Sequence, residues 1–169
     1  MIEVSTGLFN RRYLHAQLPR ELRLSRHGGR PMSVIACDLD RFKPINDSHG
    51  HAVADLVLRE TAPVMTRLLS GLGGVQGRLG SDEFALLLPG LCGDAARDLA
   101  ERLRLAVAGH GMVLPVGPPE HRNRLAHQQT LSLSVAEWQA GMLDGSDLLE
   151  LADRKLYDAK RAGRNRVSG

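Results

Sequence analysis

A hairpin that ends in acid constrains this chain more than any other stretch. Arg78-Leu79-Gly80-Ser81-Asp82-Glu83-Phe84 runs directly into the apolar Ala85-Leu86-Leu87-Leu88. A Gly-Ser pair between two extended segments predicts a tight turn joining antiparallel strands. Two adjacent carboxylates after such a turn add nothing to a core and are better suited to holding a metal ion at the sheet's end. Val34-Ile35-Ala36-Cys37-Asp38-Leu39-Asp40 is a second apolar run that finishes in acid. Side chains alternate along a strand, so Asp38 and Asp40 should share a face. If Asp38 meets Asp82 across neighbouring strands, like charges ~4 Å apart repel by about 4 kcal/mol at an effective dielectric of about 20. A divalent cation removes that penalty. Mg²⁺ suits the pattern, because it takes one or two carboxylates and completes its shell with phosphate and water.

The rest of the chain supplies a frame for such a site. Arg11 to Arg26 carries Tyr13, Leu14, Leu18 and Leu22 at near-helical spacing, and Gly28-Gly29 ends it. Met32 to Asp40 reads as a buried central strand. Gly50 to Leu69 reads as a long helix, with Pro63 as a kink or break inside it. Gly71 to Gly74 is a loop, followed by the hairpin Val75–Leu79 and Asp82–Leu88. Asp94 to Ala108 is a helix starting at Gly93-Asp94. Met112 to Val116 and Gln129 to Trp138 predict two more strands, joined by a mobile Pro/His-rich stretch, Gly117–His127. Ser146 caps a last helix to Ala162, with Gly163 after its end and a short strand at Asn165-Arg166-Val167. One α/β sandwich over a mixed or antiparallel sheet follows, without repeats, linkers or low-complexity tails.

Composition narrows the partners. The 169 residues suit one domain that buries roughly 70% of its unfolded surface. No run approaches the ~20 apolar residues of a membrane span, and no signal peptide opens the chain. Cys37 lies in an apolar strand and Cys92 is far from it, which fits a buried reduced thiol in the cytoplasm. The net charge of +3 favours an anionic partner. Aromatics are only 4%, and no basic block appears, so a small phosphate ligand fits better than a long nucleic acid.

Further polar residues follow the first acidic strand: Phe42-Lys43-Pro44-Ile45-Asn46-Asp47, then Gly50-His51 and Asp55. Asn46 can donate and accept, while Asp55 only accepts. Together they can match a guanine edge, whose N1–H and N2–H₂ donors sit beside acceptors. Lys160 and Arg164 lie one helical turn apart and predict a shared phosphate-neutralising face. Asp40 has two readings, metal support and capping of the following turn. His51 reads as a structural hydrogen-bonding residue, and His49 with His51 lacks the further ligands of a zinc site. Lys155 reads as solvated.

Val34–Asp55, Arg78–Pro89, Ala152–Val167 and the opening Thr6-Gly7-Leu8-Phe9-Asn10-Arg11-Arg12 resemble the GGDEF family of diguanylate cyclases. The resemblance runs along nearly the whole chain in several ordered motifs. It implies a five-stranded sheet flanked by helices, related to the nucleotide cyclase and polymerase palm folds. It also implies condensation of two GTP into cyclic di-GMP with release of pyrophosphate. By this likeness Asp38 and Asp82 carry two Mg²⁺ (or Mn²⁺) per GTP, helped by the Leu39 carbonyl. Asn46 and Asp55 read guanine. Lys43, Lys160 and Arg164 hold the triphosphate with backbone near Phe42, and Gly80 and Ser81 line the substrate. Glu83 lies beside the reacting hydroxyl. A transient homodimer, no nucleic acid and no membrane contact are implied, and residues 1–169 would be the catalytic part of a larger regulator.

The chain departs from the family in four places. Ser81 replaces the second glycine of the signature, at a cost of ~1 kcal/mol if positive φ is required there. Ala54 stands in place of a glycine before the guanine-reading Asp55. Glu3 and Ser5 replace the usual Asp and Leu of the opening motif, which bears on the domain's entry more than on chemistry. Gly71 and Gly74 occupy the positions of the family's product-inhibition motif, Arg-x-x-Asp. The rival reading is a degenerate module that binds GTP or cyclic di-GMP in the active-site half-pocket without turnover.

Overall fold

Eight consecutive buried residues, Met32–Leu39, form the central strand β1 of this computed structural model, which describes residues 1–3 and 6–169. The expectation at Ser5 falls outside the described residues. Along the chain come α1 (Arg11–His27), β1, α2 (Phe42–His49), α3 (His51–Leu69), β2 (Val75–Arg78) and β3 (Glu83–Pro89). Then follow α4 (Gly93–Ala108), β4 (Gly111–Val116), β5 (Asn123–Gln128), β6 (Leu131–Glu137), α5 (Gly145–Arg161) and β7 (Arg166–Ser168). Five strands lie side by side in the order β2-β3-β1-β6-β7. Only β6 and β7 run parallel. The mixed, mostly antiparallel α/β sheet is as the sequence predicts.

A strand buried on both faces reads as an unbroken apolar run, and β1 shows why. Ile35, Cys37 and Leu39 pack on the side of α3 and α4, with Val57, Met65 and Leu103. Val34 and Ala36 pack on the opposite side, under Leu14, Leu18 and Leu22 of α1 and Leu148 and Leu156 of α5. The Cys37 thiol is free and fully buried, and that burial pushes its pKa up. Helix α1 lies very close to the sheet: a Cβ at Gly77 would stand 2.5 Å from Leu14 Cδ1.

Several local expectations change. The stretch expected as a loop, Gly117–His127, contains most of β5, which pairs with β4 in a separate two-stranded sheet. Most of β5 is exposed, so no apolar alternation marks it in the sequence. The main sheet takes β7 as its fifth strand. Pro63 does not break α3, because Val57, Leu58, Val64 and Met65 anchor both flanks in the core. Asp144, not Ser146, caps α5: its carboxylate accepts a 2.8 Å hydrogen bond from the Ser146 amide. Lys155 is half-buried rather than fully solvated, and its ammonium donates to the Val135 carbonyl at 3.1 Å. Among the described residues, no helix is long and apolar enough to cross a membrane.

The close approach of α1 gives a stability prediction. Gly77→Ala should destabilise the fold by about 1–3 kcal/mol, the usual cost of overpacking. Adding Leu14→Ala should shrink that increment, because the added methyl then has room. Urea midpoints of the single and double variants measure the coupling.

Candidate active site

The register between β1 and β3 sets the acidic end of the sheet. Asp38 lies directly opposite Glu83, and the Leu39 amide donates to the Asp82 carbonyl at 3.0 Å. The sequence-predicted carboxylates Asp38, Asp82 and Glu83 therefore gather at adjoining strand ends. Asp38 is buried, and one of its oxygens, Oδ2, is ion-paired with Lys160 from α5. The other, Oδ1, is buried without a hydrogen-bond partner.

The connection after β1 brings the next residues to the same end. Arg41 takes a left-handed conformation (φ 54°), turning the chain at once into α2. This short helix was not legible in the sequence, because neither a capping side chain nor an apolar period announces it. Phe42 is buried under the sheet, while Lys43 is exposed. Asn46 sits on α2 with its Oδ1 buried and unpartnered. Gly50, at φ 85°, reverses the chain into α3, whose second turn carries the exposed Asp55. Ala54 is buried in the core, consistent with a packing role. His51 is exposed, and its ring makes no hydrogen bond among the described residues, so the expected structural bond is absent there.

The signature turn differs from expectation. Leu79–Asp82 connect β2 and β3, with the Leu79 amide donating to the Glu83 carbonyl at 2.7 Å. Neither Gly80 nor Ser81 has positive φ, so serine carries no backbone penalty here. Arg78 holds the turn instead. Its guanidinium donates to the Gly80 carbonyl at 2.8 Å and the Ser81 carbonyl at 2.6 Å. It also pairs with the Glu3 carboxylate at 2.9 Å. Glu3 thus acts on the signature itself, a role that its position in the opening motif did not show.

Lys160 and Arg164 come together by a route other than a shared helix face. Helix α5 ends at Arg161, and the Arg164 amide donates to the Ala159 carbonyl at 3.1 Å in a turn that places Arg164 at φ 64°. Burial and the neighbouring Arg164 pull the Lys160 ammonium below its ordinary pKa, while the Asp38 carboxylate in contact with it works the other way. Burial pushes the Glu83 carboxyl up, with Asp153 and Asp82 adding to the shift and Arg11 opposing it. Glu83, Arg11 and Asp153 also line a groove of about 1010 Å³ between α1 and α5, which Asp38, Asn46 and Lys160 do not reach.

Asp40 does not cap the turn that follows it, since α2 starts at Arg41 without a side-chain cap. Its carboxylate accepts hydrogen bonds from Thr130 Oγ1 (2.7 Å), Ser132 Oγ (2.6 Å) and the Asn165 amide (3.0 Å). These partners lie far along the chain, so local sequence carries no sign of them. Among the described residues, no three histidine, cysteine or acidic side chains already converge as a metal cage.

The class of domain is set by an α/β fold with acidic strand ends, a half-buried lysine paired with Asp38, and unpartnered oxygens on β1 and α2. The chain belongs to the GGDEF family: the family described as "Diguanylate cyclase, GGDEF domain" matches residues 2–166. It is 38% identical over 167 residues to the response regulator PleD of Caulobacter vibrioides, covering 97% of this chain and 35% of that protein. It is 33% identical over 169 residues to the diguanylate cyclase DosC of Escherichia coli K12, covering 98% of this chain and 34% of that one. The chain thus spans about a third of the length of these relatives. The GGDEF domain of DgcB from Caulobacter crescentus, solved in complex with c-di-GMP, superposes with a TM-score of 0.87 at 30% identity, covering 99% of this chain and 91% of that one. The active GGEEF domain of a Vibrio cholerae diguanylate cyclase gives 0.82 at 32% identity, covering 95% and 96%.

Two outcomes follow from this geometry. Ser81→Gly should leave stability within about 0.5 kcal/mol of the parent, because the turn needs no positive φ. Glu83→Gln should raise the melting temperature at neutral pH. The folded-state pKa of Glu83 is raised, so folding favours its protonated form; that contribution is present below the ordinary carboxylate range and lost as pH rises through the shifted value. Melting curves should therefore converge as the pH falls below that range.

Proposed function

We propose that this chain is a diguanylate cyclase domain, joining two GTP molecules into cyclic di-GMP with release of pyrophosphate. The observation that carries the reading is the pair of buried, unpartnered oxygens, Asp38 Oδ1 and Asn46 Oδ1, at the acidic end of the sheet. A buried acceptor left without a donor costs about 1–3 kcal/mol. Both atoms suit a ligand that brings cations to one and N–H donors to the other.

The donor set fits a hard divalent ion, because a free carboxylate oxygen on Asp38 stands beside the strand end that carries Asp82. Asp38, Asp82 and the Leu39 carbonyl would hold two Mg²⁺ (or Mn²⁺) per GTP. When bound, the metal supplies charge neutralisation at the phosphates and a lower pKa for the attacking 3′-hydroxyl. Asn46 and Asp55 then read the guanine edge. Lys43, Lys160 and Arg164 take the triphosphate with the backbone at Phe42, and Gly80 and Ser81 border the reacting sugar. Glu83 stands beside the attacking hydroxyl. Each domain holds one GTP, so both bonds form only when two copies face each other about a two-fold axis. The related DgcB domain, solved in complex with c-di-GMP, supports this choice of ligand. Residues 1–169 form one catalytic domain of a longer cytoplasmic regulator in this reading.

Feedback by product should differ from that of members with Arg-x-x-Asp. Gly71 and Gly74 offer no side chain, and a Cβ at Gly74 would lie 2.7 Å from the Leu87 carbonyl oxygen. Product binding is therefore confined to the active-site half-pocket. The degenerate-module alternative rests on Ser81 and Ala54, and the first of these is weakened, because Ser81 sits in the turn without left-handed backbone.

Incubating the purified chain with GTP and Mg²⁺ should yield cyclic di-GMP at a rate that rises faster than linearly with protein concentration. Asp82→Ala should reduce that rate by about a hundredfold or more, since it removes several kcal/mol of charge stabilisation. Nucleotide binding with no product at any protein concentration would favour the binding module. Tight product inhibition that survives combined Asn46→Ala and Asp55→Ala substitution would show a second product site.

A further inference from the structure

We propose that Asp40 is a positioning residue for phosphate binding, clamping the turn after α5 so that Lys160 and Arg164 stand beside Asp38. The inference rests on the cyclase reading for the identity of the phosphate ligand, but its geometry stands apart from turnover. Asp40 is 8% exposed, and three donors from two distant segments take up its carboxylate. Its backbone is held as well: the amide donates to the Thr130 carbonyl at 3.0 Å, and the carbonyl accepts from Gln129 Nε2 at 2.8 Å. Gln129 is itself buried, and its Nε2 also donates to the Thr130 carbonyl at 2.9 Å. Asp40 is therefore a fixed point at the end of β1.

The segment it holds is strained. Arg164 and Asn165 both adopt left-handed backbone, at φ 64° and 45°. Such a conformation costs Arg164 about 1–2 kcal/mol, while asparagine tolerates it better, and two in succession mark a turn that the surroundings hold. Asp40 grips the Asn165 amide from one side, while Arg104 of α4 donates to Asn165 Oδ1 at 3.0 Å from the other. One residue later the chain enters β7, with Arg166 in register beside Ser132, whose hydroxyl also bonds Asp40. The ends of β1, β6 and β7 are thus joined through one carboxylate. The α5 terminus that carries Lys160 and leads to Arg164 is set from that junction. Asp40 touches no phosphate; it fixes the two cations that do.

The test compares a ligand that uses the turn with one that does not. A non-hydrolysable GTP analogue with Mg²⁺ reads both ends of the site, whereas guanosine reads only the Asn46 and Asp55 end. Asp40→Ala should weaken analogue binding by about tenfold, the equivalent of one charge-assisted contact of about 1.4 kcal/mol, and leave guanosine binding unchanged. In the cyclase assay the same variant should raise KM for GTP more than it lowers kcat. Asp40→Asn keeps acceptors for Thr130 and Asn165 and can donate to Ser132, so it should restore most of the loss. Thr130→Val, which removes one donor and keeps the volume, should give a smaller selective loss and serves where Asp40→Ala does not fold. Parallel loss of analogue and guanosine, unchanged analogue binding in every variant, or Asp40→Asn as impaired as Asp40→Ala would each overturn the inference. A chain that shows the selective loss but makes no cyclic di-GMP would sink the cyclase reading and leave this one standing.

Discussion

The antiparallel register of β1 against β3 and β6 is the constraint on which the rest of the structure depends. It sets Asp38 opposite Glu83 on one side and opposite Ser132 on the other. A slip of one residue would exchange the faces of the whole strand, burying Asp38 among the leucines of α3 and α4 and lifting Cys37 to the acidic end. Apolar runs on both strands make that slip costly, because β1 and β3 are buried over nearly their full length. The core therefore fixes which face and which end of the sheet carry the carboxylates.

Much of the candidate site was legible because its residues come in local packets. One acidic pair closes an apolar run and the other opens one, and Asn46 and Asp55 flank a glycine that divides two helices. The frame of α1, β1, α3, the hairpin and α5 was readable for the same reason, since a period of two or near four shows wherever one face is buried. Helix α2 was hidden because a left-handed residue, Arg41, starts it and no side chain caps it. Strand β5 was hidden because its pairing is made by backbone alone, with side chains largely in solvent. The hydrogen-bonding role of Asp40 was hidden for a different reason. Its partners at Thr130, Ser132 and Asn165 are brought near only by the complete sheet, and no spacing rule reports them.

Strain and open valence gather at one end of the molecule. All three described non-glycine residues with positive φ (Arg41, Arg164 and Asn165) border the acidic strand ends, as do two of the four buried side-chain atoms left without partners. The opposite end shows ordinary closure: the Gly90 amide donates to the Pro31 carbonyl, and Glu137 accepts from the Gly93 amide at the start of α4. Such asymmetry is expected where a fold sacrifices local comfort to hold polar groups ready for a ligand.

The Arg78 guanidinium spans from Glu3, ahead of α1, to the Gly80 and Ser81 carbonyls. The leading segment and the β2–β3 turn are consequently tied together through a single planar group of atoms. A substitution ahead of the first helix therefore reaches the tip of the hairpin through one side chain rather than through the core.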